Sequence, residues 1–447
     1  MAKTKVQYVC NSCGAFSSTW AGRCYQCNEW NTLVEQIEVD TANTSNGGTI
    51  LRAEQVKRLA AKDTEKRIST GMEEVDSVLG GGFVAGSVNL IAGQPGIGKS
   101  TLLLQLADKV AAKWPVLYIS GEESAHQIGL RAKRLGAGKP KLELATSSSA
   151  DDIAATISSG KYKLVVVDSI QTLSVNGIGS SSGTVSQISG STQLLSAAAK
   201  QTSTAIVLVG HVTKEGSIAG PKVLEHVVDV VLQLEGERYG SLKLLRGTKN
   251  RYGSTNEIGI FEMQDYGLLP IINPSAVLLA ERQVSDGSIV LATMEGSRPL
   301  LVEIQALVNR TSFGYPKRAV SGLDLNRVNL LVAMLERRTK LSLSEHDIYV
   351  NVVGGIKISE PASDLAVCMA IASAARGLKL KKDAVVFGEV GLSGEVRHVP
   401  FVDKRVSEAK KLGFKIAIGP ALKDSKKIAG LYGVNNVRLA LNQFLAK

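Results

Sequence analysis

No apolar run in the 447 residues reaches the length of a membrane span, which excludes a helical membrane protein. The N-terminus, MAKTKVQYVC, carries basic residues but no apolar stretch behind them, so no secretory signal is expected. A soluble, cytoplasmic chain with no membrane partner is expected. Cysteine is scarce: there are five, Cys10, Cys13, Cys24, Cys27 and Cys368. Four of them lie within the first thirty residues, a clustering that in a cytosolic chain points to metal and away from disulfides. No short-period repeat is present, so solenoid architectures are not indicated.

What is there suits two or three domains. Hydrophobic residues make up 44%, enough for sizeable cores, and 52 Lys and Arg against 41 Asp and Glu give +11. A basic balance is compatible with nucleic acid without demanding it. Residues 1–34 are too few to bury a core. Residues 35–66 are polar and low in aromatics and read as a linker. From residue 67 to 265, short apolar runs (SVNLIAG, VLYISG, KLVVVDS, AIVLVGH) alternate with helical patterns, the signature of a parallel sheet with crossovers. GLLPIINPS marks a change of character. Residues 266–447 read as a separate α+β domain: two antiparallel strands in GSIVLATMEGSRPLLVEIQALV, two helices, a hairpin in AVVFGEVGLSGEVRHV, then a helix and a strand.

The segment GQPGIGKST matches G-x-x-x-x-G-K-[ST] in full, between an apolar strand and an apolar helix. Its residues Gly93, Gln94, Pro95, Gly96, Ile97, Gly98, Lys99, Ser100 and Thr101 are expected to hold ATP. Backbone amides close around the β-phosphate, and the helix N-terminus adds its dipole. Lys99 reaches the β- and γ-phosphates, and Ser100 ligates Mg²⁺. In KLVVVDSIQTL, four apolar residues end in Asp168, a second Mg²⁺ carboxylate. Hydrolysis also needs a group that orients water. YISGEES offers Glu122, the first acid past a strand end, with Glu123 as the fallback. His211 ends a further strand and is a candidate γ-phosphate sensor.

Cys10-x2-Cys13 and Cys24-x2-Cys27 form two knuckles separated by ten residues, which together complete a closed, structural four-cysteine zinc site. Trp20, Arg23, Tyr25 and Trp30 give the ribbon aromatic and basic character. In so small a module the aromatics are expected to serve packing, and either DNA or protein is an open partner. Cys368 falls in an apolar helix and reads as core.

Knuckle, linker, phosphate loop and C-terminal domain occur together with the stretch KNRYG, which is Lys249, Asn250, Arg251, Tyr252 and Gly253 on an expected turn between strands. With CNSCG, GQPGIGKST, YISGEES, VVVDSIQT and GHVTKEGSIAGPKVLEHVVD, this constellation closely resembles the bacterial RadA (Sms) family of repair and recombination ATPases over essentially the whole chain. That family is distinct from the archaeal recombinase of the same name and usually has Phe in place of Tyr252. The resemblance implies a RecA-like α/β P-loop core with an N-terminal four-cysteine zinc ribbon and a C-terminal Lon-protease-like domain. It implies a DNA-dependent ATPase that assembles as a homo-hexameric ring on single-stranded and branched DNA, promoting branch migration and heteroduplex extension. RecA or a replicative helicase is an expected partner. Lys249 and Arg251 would couple nucleotide state to DNA across subunits, where a bare turn would be a solvated tip. The loops SVNGIGSSSGTVSQISG and TKEGSIAGPKVLEH, with Lys214 and Lys222, would line the DNA channel.

Lon-type proteases use a Ser nucleophile and a Lys base. At those places this chain has Ala362 and Asp403, with Ser363 and Lys404 each one residue late. One residue turns a helical side chain by about 100°. A proteolytically inactive scaffold with a basic surface is therefore expected, against the competing reading of an ATP-dependent protease. A signalling ATPase of the circadian-clock type shares the GEES style of core but has neither the knuckle nor the Lon-like domain.

Overall fold

The computed structural model describes residues 5–10, 15–38, 67–211, 223–236, 242–312, 314–422 and 428–446. The chain divides into two compact units, Met1–Glu65 and Lys66–Lys447. Among the described residues no helix is long and apolar enough to cross a membrane.

In the first unit, β1 (Lys5–Cys10) lies between β2 (Phe16–Ser17) and β3 (Leu33–Glu38) in an antiparallel sheet. β3 continues four residues into the stretch read as linker. Among the described residues the buried core of this unit is Cys10, Cys24 and Leu33. Such a core cannot cover large side chains, and Trp20, Tyr25 and Trp30 are 61%, 64% and 70% exposed. The expectation that these aromatics serve packing is thereby corrected.

The second unit opens with a nine-stranded sheet. Its strands are β4 (Val88–Gly93), β5 (Val116–Ser120), β6 (Leu142–Thr146), β7 (Leu164–Asp168), β8 (Ala205–His211), β9 (Val230–Glu235), β10 (Leu242–Asn250), β11 (Ile258–Gln264) and β12 (Gly267–Pro270). The spatial order is β12-β11-β10-β9-β4-β8-β7-β5-β6. β4 through β9 pair in parallel, as helical crossovers require, whereas β10, β11 and β12 extend the sheet antiparallel from β9. The alternation of side chains divides the core. Tyr118, Val166 and Val207 face the helix Lys99–Ala111, with its Leu102, Leu103 and Leu106. Leu117, Val165, Val167 and Leu208 face the helix Val185–Thr202 on the other side. Because that helix begins at Val185, the last six residues of SVNGIGSSSGTVSQISG are helical, and the loop expected there shortens to residues 174–184.

Among the described residues eleven further strands follow: β13 (Ser288–Glu295), β14 (Arg298–Arg310), β15 (Arg318–Ser321), β16 (His346–Val352), β17 (Lys379–Leu380), β18 (Ala384–Val386), β19 (Glu389–Val390), β20 (Val396–Arg397), β21 (Ile416–Pro420), β22 (Leu431–Val434) and β23 (Leu445–Ala446). Seven of them form a second sheet, ordered β15-β16-β14-β13-β18-β21-β22. The hairpin expected across residues 384–399 is confined to β19 and β20, because β18 is drawn into the large sheet parallel to β13 and β21. The helix Asp364–Arg376 is buried along nearly its whole length against this sheet, Cys368 included, which makes the thiol a core residue.

The two sheets are tied by charge. Arg298 at the start of β14 donates to both carboxylate oxygens of Glu74, at 2.9 and 2.8 Å, and Arg246 on β10 reaches Glu295 at 2.7 Å. Both acids are largely buried, so loss of either arginine would strand a carboxylate, at a cost of about 3–5 kcal/mol.

Candidate active site

In a parallel sheet the carboxyl ends of neighbouring strands converge on one edge. Register places Gly93 beside His211 and Ser120 beside Asp168, so β4, β8, β5 and β7 all end there. The structure thus brings the phosphate loop, the residues after β5 and Asp168 together. Lys214, Lys222 and the side chain of His211 lie outside the described residues.

The phosphate loop turns into the helix Lys99–Ala111 through Gly98, at φ 113°. That left-handed backbone requires glycine, and a Cβ there would also displace the Met263 methyl, 2.5 Å away. Ile97 is buried, Gln94, Pro95 and Gly96 are exposed, and Ser100 and Thr101 begin the helix half-buried. Lys99 Nζ, 5% exposed by residue, donates to the carbonyls of Gly93 and Gln94 at 2.9 and 3.1 Å. Burial pulls its ammonium below the ordinary value, while the charges of Asp168 and Glu122 oppose that pull.

Past β5, Ser120 Oγ accepts from the amides of Glu122 and Glu123 and fixes the turn. Gly121 is needed because a Cβ there would meet Thr172 Oγ1 at 2.2 Å. A capping box between Ser124 and Gln127 then starts the helix Ala125–Leu135. The two acids part company. Glu123 pairs with Arg131 at 2.6 Å on that helix. Glu122 accepts from Ser169 Oγ, next to Asp168. Asp168 accepts from the Tyr118 phenol at 2.7 Å. Burial, and then the Asp168 charge, push that phenol well above its ordinary value and keep it a donor. Sequence reasoning missed Tyr118, Ser169 and Arg131, since only strand register reveals their partners. The hydroxyl of Ser100 and the carboxylate of Asp168 are hard oxygen donors that fit Mg²⁺.

Lys249 and Arg251 are not at this edge. β9 runs parallel to β4, with Leu234 beside Gly93, and its other end, Val230, pairs with Asn250. KNRYG therefore begins, at Lys249 opposite Val231, about 10 Å down the strands from the phosphate loop, toward the opposite edge. Lys249 is also on β10, past a bulge after Gly247, so only the residues from Arg251 onward form the turn. Its ammonium donates to the carbonyls of Glu225 and Val228, the latter at 2.8 Å, and burial lowers its pKa. Arg251 pairs with the buried Asp229 at 3.1 Å and donates to the His226 carbonyl. Asp229 in turn accepts from the Val88 amide at the start of β4. Arg67 donates to the Tyr252 carbonyl and Asn250 to that of Leu79, which bolts the turn to the end of the helix Glu73–Leu79.

In the first unit, the thiols of Cys10, Cys24 and Cys27 lie within 4.8 Å of one another, with Cys10 and Cys27 at 3.6 Å. Tetrahedral Zn–S bonds of about 2.3 Å put ligand sulfurs about 3.8 Å apart, so the three thiols fit zinc. Cys13 lies outside the described residues. The Cys27 amide, and after burial's opposing push the Gln26 amide, hold the Cys24 thiol below its ordinary value, toward the thiolate a metal binds. Purified protein is expected to carry about one zinc per chain, and Cys24→Ser to lose it. Metal analysis finding no zinc in the wild type would remove the site.

In the C-terminal domain, Ser363 Oγ donates to the Glu360 carbonyl at 2.8 Å and Lys404 Nζ to the Ser297 carbonyl at 3.1 Å. Ala362 is buried at the place of the nucleophile.

A family profile described as AAA domain matches residues 53–217, one described as rubredoxin metal binding domain matches 8–35, and one described as subunit ChlI of Mg-chelatase matches 309–422. A solved RadB recombinase is 22% identical, covering 45% of this chain and 98% of that one, at a TM-score of 0.36, too weak a likeness to argue from. The DNA repair protein RadA of Pseudomonas aeruginosa is 48% identical over 98% of both chains. Those of Bacillus subtilis and Halalkalibacterium halodurans are 48% and 45% identical over 100% of both. The chain, with its RecA-like ATPase core, zinc ribbon and Lon-protease-like domain, belongs to the family of the DNA repair protein RadA.

Proposed function

We propose that this chain is a DNA-dependent ATPase motor of recombinational repair, acting in the cytoplasm as a hexameric ring on single-stranded DNA and extending heteroduplex by branch migration. Lys99 and the loop Gly93–Thr101 bind the triphosphate, Ser100 and Asp168 hold Mg²⁺, and Glu122 orients the attacking water. The metal supplies charge neutralisation at the phosphates when bound. What carries the reading is the placement of KNRYG at the sheet edge opposite the phosphate loop. A cation so far from its own nucleotide serves hydrolysis only by reaching the nucleotide of a neighbouring copy, as an arginine finger does. The carbonyls that Lys249 and Arg251 hold belong to the helix Val223–Val227 and the residue just after it, and the first four residues of that helix are the end of the stretch TKEGSIAGPKVLEH, helical there and not loop. One hydrogen-bonded unit thus joins the trans-acting cation to the DNA-facing segment. The C-terminal domain is a scaffold without proteolytic activity, as the separate partners of Ser363 and Lys404 support.

ATP hydrolysis with and without single-stranded DNA tests this. Stimulation by DNA is expected in the wild type, and Lys99→Ala is expected to lower both rates to background. Hydrolysis indifferent to DNA would sink the motor reading, and cleavage of unfolded protein would restore the protease.

A further inference from the structure

We propose that Tyr118 is a positioning residue for the magnesium carboxylate, acting through Asp168 and resting on the reading of Asp168 as an Mg²⁺ ligand. Parallel pairing sets Tyr118 beside Val166 and Ser120 beside Asp168. Side chains two apart on a strand share a face, so Tyr118 and Asp168 both project toward the phosphate-loop helix. Tyr118 is 1% exposed, and its ring packs in the core under that helix. A buried phenol needs a partner for its hydroxyl. Here the partner is Asp168 Oδ2 at 2.7 Å. One carboxylate oxygen is thereby fixed by a rigid donor, which sets the rotation of the group about its bond to the strand end. The other oxygen is then oriented without help from a mobile loop. Ser169 does the same for Glu122 one residue later, so the metal carboxylate and the water-orienting carboxylate are each held by a hydroxyl. Donors behind metal-ligating carboxylates typically govern metal affinity by about 10–100-fold.

The chain supplies its own control. Tyr162 is also buried and also donates to a carboxylate, Glu143 on β6, at 2.6 Å, away from the phosphate loop. Mn²⁺ binding, followed by electron paramagnetic resonance in the presence of a non-hydrolysable ATP analogue, separates the two. Tyr118→Phe is expected to weaken Mn²⁺ binding about tenfold, and Tyr162→Phe to leave it unchanged. In an Asp168→Asn background, adding Tyr118→Phe is expected to change nothing further, because the carboxylate it orients is gone. Unchanged Mn²⁺ affinity in Tyr118→Phe would overturn the proposal, as would an equal loss in both phenylalanine variants. If Asp168→Asn itself binds Mn²⁺ like the wild type, the metal role of Asp168 fails and the role of Tyr118 falls with it. If Asp168→Asn weakens binding and Tyr118→Phe does not, only the positioning role is lost.

Discussion

Glu122→Gln is expected to lower kcat for ATP hydrolysis by about 10²–10⁴-fold, the usual contribution of a positioned general base, while ATP binding stays within a few-fold of wild type. Glu123→Gln is expected to cost far less. The two acids are adjacent, and they follow β5 by two and three residues, so position in sequence scarcely separates them. Their partners do. Glu123 is committed to Arg131 on the following helix at 2.6 Å, and serving as a base would mean leaving that pair. Glu122 is held by Ser169, whose neighbour Asp168 points to the same edge as Lys99. The charge of Glu122 is felt at the Lys99 ammonium, which places the carboxylate near the group that would meet the γ-phosphate. Gln keeps the size and hydrogen-bonding reach of Glu and removes only its basicity, so a loss in kcat without a loss in binding isolates the chemical step. Single-turnover hydrolysis together with binding of a fluorescent ATP analogue reads both quantities. A larger loss in Glu123→Gln than in Glu122→Gln would reverse the assignment.

The parts legible in the sequence were those whose chemistry is local. The phosphate loop announces itself because amides, glycines and Lys99 must sit on one turn. The core strands that end in Gly93, Ser120 and Asp168 could be read from short β-branched runs, and the knuckles from the bite of a C-x2-C turn. What stayed hidden depends on register between strands. Nothing near Tyr118 in sequence indicates Asp168, 50 residues away. Nothing in KNRYG says that β10 folds back antiparallel on β9 and so carries Arg251 to the far edge. Nothing in LEHVVD says that Asp229 joins Arg251 to the start of β4. The exposed tryptophans of the ribbon were misjudged for a related reason. A module whose buried core, among the described residues, is two thiols and a leucine has too few elements to enclose an indole.

Mixing two inactive variants is expected to restore ATP hydrolysis. Lys99→Ala loses its own phosphate loop but keeps Arg251, whereas Arg251→Ala keeps the loop and loses the cation. If Arg251 serves a neighbour, an interface with the loop from one variant and the cation from the other is complete. In an even random mixture about a quarter of interfaces have that composition, so about a quarter of wild-type activity should return from partners that each show a deficit on the scale of an arginine finger, about 10³-fold or more. The mixture also deals with a complication in the single variant. Arg251 pairs with Asp229 inside its own chain, and Arg251→Ala leaves that buried carboxylate without its guanidinium. A loss of activity in Arg251→Ala alone could therefore come from a disturbed β4, whose first amide Asp229 holds, and would say nothing about neighbours. Such a cis defect stays with the chain that carries it, and adding Lys99→Ala subunits would not repair it. Activity that reappears on mixing, and rises in proportion to a small added fraction of either variant, assigns the cation to the adjacent nucleotide. Activity that stays at background in every ratio, with subunit exchange verified by labelled chains, returns Arg251 to a structural role at the far edge of the sheet.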